Sequence, residues 1–146
     1  MSLPKEQGDK EKYLNKLFDL SYRKYNFESD IFNIDTIKNW LNQELEEVEN
    51  YDSLDNLYEE LWDVLYMLIN YYTWKYPKSA REKIKSDKLY QLIVDALNEK
   101  DLDFTVKKFY KRNWFLNDEN IKNIKDPKEK KKLIYEYWEK IKQEEK

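Results

Sequence analysis

A chain of 146 residues with one glycine and three prolines has almost no means of making the tight turns that join short strands. Those turns need residues that take a positive φ or arrive with φ pre-set. Helix interiors need neither residue and are weakened by both. The scarcity predicts an all-α fold, and the length suits a single domain over residues 1–146 with one core. Charged residues make up 39% of the chain, which on its own would favour disorder. The 13 Tyr, 6 Phe and 5 Trp argue the other way. They supply apolar surface for an aromatic-rich core beneath a coat of Lys and Glu.

Composition also removes several kinds of chemistry. The net charge of −3 gives no general case for a nucleic-acid polymer as partner. There is no cysteine, so neither disulfides nor thiolate catalysis are open to the chain, and a reducing cytoplasm is the expected location. There is no histidine, the commonest general base and the commonest transition-metal ligand. Any bound metal must therefore take oxygen ligands, which selects Mg²⁺, Mn²⁺ or Ca²⁺. The longest apolar run, near Val64 to Ile69, is far short of the roughly 20 residues a membrane helix needs, so no membrane partner and no signal peptide are expected.

Periodicity divides the chain into helices. Residues 1–9 read as a polar, disordered tail. A first helix is expected from about Lys10 to Tyr25, with Tyr13, Leu14, Leu17, Phe18 and Leu20 inward. A loop at 26–33 leads to a second helix from Ile34 to Tyr51, capped by Asn33 or Asp35. A third covers Leu54 to Lys75, capped by Asp52 or Ser53, and Pro77 ends it or starts the next. The turn between these two is so short that they should form an antiparallel hairpin. A fourth helix is expected over Ser79 to Asn98 with Leu89, Leu92, Ile93, Ala96 and Leu97 inward. A fifth comes next, from Asp101 to Asn113, and a sixth after Pro127. The Lys-rich stretch Lys122 to Lys132 reads as a solvated loop and helix start.

Within the second and third helices, acids stand where apolar residues belong. Ile34, Ile37, Leu41, Leu45 and Val48 form one stripe at about 100° per residue, with Glu44 inside it and Glu47 at its margin beside Trp40. In the third, Leu57, Leu61, Val64, Leu65, Leu68 and Tyr72 form the stripe. Glu60 lies on its flank and Asp63 stands one turn on. Glu46, Glu49 and Glu59 point to the wet faces. Counted from Asp52, Glu44 and Glu47 lie eight and five residues before it, and Glu60 and Asp63 eight and eleven after. At about 1.5 Å per residue both pairs reach a similar height. A single Glu-x-x-Glu in a Glu-rich chain is most simply a solvated face. Two at matched height inside apolar stripes point to a cation, because a buried carboxylate is costly unless paired.

The segments Leu41-Asn-Gln-Glu-Leu-Glu-Glu-Val48 and Glu59-Glu-Leu-Trp-Asp-Val-Leu65 resemble the MazG-like all-α nucleoside triphosphate pyrophosphohydrolases. The second is very similar to that family's Glu-Glu-Leu-Gly-Asp-Val-Leu signature. Lys108-Phe-Tyr-Lys-Arg-Asn-Trp-Phe115 more faintly resembles its basic Lys-x-x-x-Arg segment. The likeness is carried by residues 34–72 and extends over a core of about 10–115. The C-terminal arm, 116–146, has no counterpart. Three positions depart from the family: Trp62 replaces a small residue, Gln43 stands where another Glu is frequent, and Asn113-Trp114 replaces a His- and Pro-containing stretch.

The resemblance implies a four-helix core that uses Mg²⁺, with Mn²⁺ as a substitute, to cleave a nucleoside triphosphate into monophosphate and pyrophosphate. It implies Glu44, Glu47, Glu60 and Asp63 as metal ligands, Asn70 as a contact to phosphate or sugar, and a homodimer or homotetramer. The plain alternative for Asn70 is a helix-surface residue. With no His or Cys, a carboxylate must serve as base, and Glu47 is the choice because water reaches its margin. Lys107, Lys108, Lys111 and Arg112 share one face of the fifth helix. That face is either merely solvated or, through Lys108 and Arg112, a grip on the triphosphate. Trp40, Tyr66 and Trp74 are either core or a stacking surface for a base. The rival reading is a helical interaction or regulatory protein that keeps the fold without catalysis. A di-iron bundle is disfavoured, since such sites pair Glu with His.

Overall fold

The computed structural model describes residues 5–117, 121 and 123–145 and contains no strand among the described residues. Helix α1 spans Lys5–Glu28, α2 Ile34–Glu49, α3 Leu54–Lys75, α4 Ala80–Ile84, α5 Lys88–Ala96, α6 Glu99–Arg112 and α7 Pro127–Glu145. A 3-10 turn, Trp114–Asn117, comes after α6. Of the expected tail over 1–9, residues 1–4 lie outside the described residues and 5–9 belong to α1.

Gly8 lies within α1, and no described residue takes positive φ. The turns are instead built from helix caps. Asn33 Oδ1 accepts from Thr36 N at 2.9 Å, Ser53 Oγ from Asn56 N at 3.1 Å, and Asp87 Oδ1 from Tyr90 N at 3.0 Å. Asn98 and Asp101 form a reciprocal box, each side chain accepting from the other's backbone N–H at 2.8 and 3.0 Å. Such a cap contributes about 1 kcal/mol and satisfies an otherwise orphaned amide.

The expected helix over Ser79 to Asn98 is broken in two at 85–87. Ser86 Oγ donates to Lys83 O at 3.2 Å, and Asp87 caps α5 while accepting from the Tyr72 hydroxyl at 2.7 Å. Short polar side chains that bond the local backbone offer an alternative to helix continuation, and here they win. The break shifts the helical phase of α5: Ile93 and Leu97 are buried, but Leu92 is 67% exposed and Ala96 faces solvent.

Helix α3 is the centre of the core. Val64, Leu65, Leu68 and Ile69 are buried in one cluster with Leu14, Leu17 and Leu20 of α1, Ile37 and Leu41 of α2, and Leu102, Val106 and Phe109 of α6. Full burial of each such side chain contributes about 1.5–3 kcal/mol. The packing brings α3 against α1, α2 and α6, and α2 is joined to α3 by the turn at 50–53.

The C-terminal arm is docked onto this core. Ile134 and Ile141 of α7 are buried, and Trp138 stacks on Phe32 with ring centres 5.9 Å apart and meets Trp40 edge-on at 5.8 Å. Lys130 Nζ donates to Phe27 O at 3.0 Å and lies 3.1 Å from Asp30 Oδ2. Within the Lys-rich stretch, Lys125, Lys128, Lys131 and Lys132 are exposed as the solvated reading expects, and Lys130 departs from it by being buried; Lys122 lies outside the described residues. Lys130 satisfies the Phe27 carbonyl in the last turn of α1, where a cation is favoured. Because Ile134 is fully buried, Ile134→Ala should lower the unfolding free energy by about 2–4 kcal/mol in denaturant titration. A loss below about 1 kcal/mol, the scale of a surface change, would mean that α7 is not part of the cooperative core.

Candidate metal centre and adjoining cleft

Glu44 and Glu47 leave α2 one turn apart, and Glu60 approaches from α3. One carboxylate oxygen from each lies within 4.8 Å of the other two. Glu44 and Glu60 are half-buried, while Glu47 is exposed. Glu46, Glu49 and Glu59 face solvent, as the helical phase requires. Glu44 Oε2 and Glu60 Oε2 are buried and have no hydrogen-bond partner among the described residues. The other oxygen of Glu60 receives a long contact, 3.5 Å, from Asn56 Nδ2.

This crowding disfavours the charged forms. Burial first, then the charge of Asp63 and the contact with Glu47, push the Glu44 carboxyl up to about 8. Burial and Glu47 push Glu60 up to about 7, with Asp63 adding to the shift and Lys108 opposing it. Hydrogen bonds from one carboxyl to another require a proton between them, so the neutral form is favoured. A cation in the same place would satisfy the same oxygens. The donors are all hard oxygens with two buried atoms unpartnered, and that set fits a hard cation such as Mg²⁺, Mn²⁺ or Ca²⁺ and does not fit a metal that prefers nitrogen or sulfur.

Asp63 stands apart from the other three. Its Oδ1 accepts from Lys108 Nζ at 2.7 Å, in a pair that is mostly sheltered. Three of the four expected ligands therefore converge. The fourth is engaged by one of the two cations expected to hold phosphate. Its charge still reaches the cluster, since it raises both Glu44 and Glu60.

A cleft of about 320 Å³ opens beside Glu44 and Asp63. Trp40 of α2, Tyr66 and Asn70 of α3, Phe109 and Arg112 of α6, and Trp138 of α7 form its walls. Its volume falls at the small end of the range for small-molecule sites, about 300–1,000 Å³. Tyr66 lies flat on Phe109 with ring centres 3.9 Å apart. Arg112 sits 5.7 Å above the other partner of that stack, Phe109. Trp74, by contrast, is core: it is buried and its Nε1 donates to Phe32 O at 2.9 Å. Asn70 is not a surface residue but fully buried, and its Oδ1 accepts from Ser21 Oγ at 2.5 Å. Trp62 covers the outside of α3, where it stacks on Phe104 at 6.2 Å.

Two further residues of this region, Lys24 and Glu28, carry a signal in the sequence. Lys24 Nζ lies 2.7 Å from Glu28 Oε2, with both side chains buried. Burial raises the Glu28 carboxyl and the neighbouring ammonium lowers it. The pair continues the inward stripe Leu14, Leu17, Ser21 at helical spacing, the same signal that marks Glu44. Ending the first helix at Tyr25 conceals it. No family model, no curated protein and no solved structure matches this chain.

The raised carboxyls give a signed pH dependence. Between about pH 4.5 and 8 the unfolded chain ionises these groups while the folded protein holds the protons, so metal-free stability falls as pH rises. Partial exposure reduces the effect well below its full value. Glu44→Gln should raise the metal-free Tm by about 2–4 °C at pH 8, and by much less at pH 5. An equal gain at both pH values, in thermal scans without divalent ions, would separate the stability change from the acid cluster.

Proposed function

We propose that this protein is a Mg²⁺-dependent hydrolase that converts a nucleoside triphosphate to the monophosphate and pyrophosphate, on a MazG-like core in which α2 and α3 form the metal-binding hairpin. The observation that carries the reading is the convergence of Glu44, Glu47 and Glu60 from two helices, with two buried oxygens unpartnered and Glu44 on the wall of a cleft sized for a small molecule. The segments around these acids are the ones that resemble the family.

Glu44, Glu47 and Glu60 would hold the ion. When bound, it would neutralise phosphate charge and acidify a water. The chain's own residues supply the rest. Glu47, the exposed member of the three, takes a proton from the attacking water. The water oxygen bonds to the α-phosphorus as the bond to the bridging oxygen breaks, and pyrophosphate leaves. Lys108 exchanges Asp63 for the phosphate chain, which adds a cation to the substrate and releases the fourth acid toward the cluster. Arg112, on the cleft wall, addresses the same chain from one turn further along α6.

One observation favours a second reading. With Asp63 held by Lys108, only three acids meet, which suits a protein that keeps the fold as an interaction or regulatory module. The two readings part on metal binding, because only an intact site is stabilised by Mg²⁺ through mass action. The assembly proposed is a homodimer or homotetramer in the cytoplasm, in keeping with the exposed apolar side chains Tyr51, Leu54 and Tyr58 at the α2–α3 turn. No helix among the described residues is long and apolar enough to cross a membrane. Light scattering at tens of micromolar should give at least twice the chain mass, and Leu54→Glu with Tyr58→Glu should reduce it; a monomer from the unaltered chain would remove the proposal.

The reaction is tested directly. With Mg²⁺ and a panel of nucleoside triphosphates, at least one should yield pyrophosphate and monophosphate. Glu44→Gln and Glu60→Gln should each lower kcat by at least about a hundredfold, on the scale of removing a metal-site or transition-state contact. Glu46→Gln and Glu59→Gln should stay within about twofold of the unaltered protein. Orthophosphate with a diphosphate would mean attack at a different phosphorus. No turnover, together with no Mg²⁺ thermal shift, would favour the second reading.

A further inference from the structure

The far end of the cleft is lined by hydrogen-bond donors whose bonding capacity is not fully used. Lys24 is buried, lines the cleft and carries three N–H groups. One meets Glu28 at 2.7 Å, and a second reaches Asn113 Oδ1 only at 3.4 Å. Its ammonium sits 4.6 Å over the ring of Trp138, so α7 holds the cation in place rather than leaving it to solvent. The Tyr66 hydroxyl oxygen accepts from Asn113 Nδ2 at 3.4 Å and is hydrogen-bonded by Asn70 as well. Its own proton is therefore free to be donated. Of the acceptors nearby, Asn70 Oδ1 is taken by Ser21 and Asn113 Oδ1 by Lys24, while the fully buried Glu28 carboxylate, which keeps an oxygen without a hydrogen-bond partner among the described residues, is not part of the cleft wall.

We propose that this end of the cleft reads the base of the nucleotide, with Lys24 Nζ and the Tyr66 hydroxyl donating to a ring carbonyl oxygen. The inference rests on the nucleotide reading above and sharpens it to a substrate class. Tyr66 and Asn70 lie one and two turns along α3 from Asp63, so a ligand whose phosphates meet the acids runs its other end toward these donors. Trp40, Tyr66 and Phe109 give this part of the cleft aromatic walls against which a flat ring can pack. Uracil, thymine, cytosine, guanine and hypoxanthine each carry a carbonyl oxygen. Adenine carries none, and a site built from buried donors discriminates strongly against a ligand that leaves them unpaired.

The test measures kcat/KM with Mg²⁺ for the common ribo- and deoxyribonucleoside triphosphates plus inosine triphosphate. The best carbonyl base should exceed adenine by at least about tenfold. Tyr66→Phe deletes only the hydroxyl and should reduce that preference at least about threefold, as should the paired change Lys24→Gln with Glu28→Gln, which leaves no lone buried charge. Inhibition by inorganic pyrophosphate, which reads the phosphate end alone, should change less than about twofold in both. Adenine as the best base, or an undiminished preference in both folded variants, would overturn the inference and leave the hydrolase reading standing. An unaltered protein that neither cleaves nor binds any member of the panel would overturn both.

Discussion

The carboxylates of Glu44, Glu47 and Glu60 repel one another across the contact between α2 and α3, and the rest of the molecule is organised to hold them there. Two of them carry buried oxygens without partners, so the cluster lowers stability unless protons or a cation enter it. The opposing force is the apolar packing around α3, whose Leu65 and Ile69 are fully buried. Ser53 fixes where α3 starts, and Asn33 does so for α2. The heights of the acids are then set by residue counts alone. Strain of this kind persists only where surrounding structure over-determines it, and it concentrates at functional sites.

The same logic explains what could be read from the sequence. Glu44 and Glu60 were legible because each interrupts an apolar stripe, and helical phase separates them from Glu46, Glu49 and Glu59 without any tertiary information. Tyr66 and Trp40 were found by proximity to those faces. The pairing of Asp63 with Lys108 was not legible, because it joins residues 45 positions apart on α3 and α6. The break at 85–87 was missed because Ser86 and Asp87 win locally over a helical period that continues across them. Asn70 illustrates the limit: its position on α3 was clear, but its burial depends on Ser21 and Thr73, which hydrogen-bond in the interior between α1 and α3.

The C-terminal arm changes the character of the site. Its Lys-rich start reads as solvated, yet Lys130 is tied to the end of α1 and Trp138 is wedged between Phe32, Trp40 and the Lys24 ammonium. Without α7, Lys24 would be open to water on the side that Trp138 now covers. A buried ammonium beside a buried carboxylate is a weak source of stability, since desolvation offsets most of the attraction. Its value lies in position: Glu28 and Trp138 together fix the ammonium of a residue that lines the cleft. An arm with no counterpart in the resembling segments thus completes a wall beside the acids.

The charges around the cleft are ordered rather than mixed. Acids gather where α2 meets α3, Lys108 sits at their border against Asp63, and Lys24 lies beyond, between Glu28 and Trp138. A ligand that carried only negative charge would meet the acids without compensation. One that carried only an apolar ring would leave the buried donors unpaired, which costs about 1–3 kcal/mol for each. A molecule with a polyanion at one end and an acceptor-bearing ring at the other satisfies both ends at once, provided a cation accompanies the polyanion. On the proposed reading the order of groups along the cleft acts as a selection rule, and that order arises from where four helices place their inward polar residues.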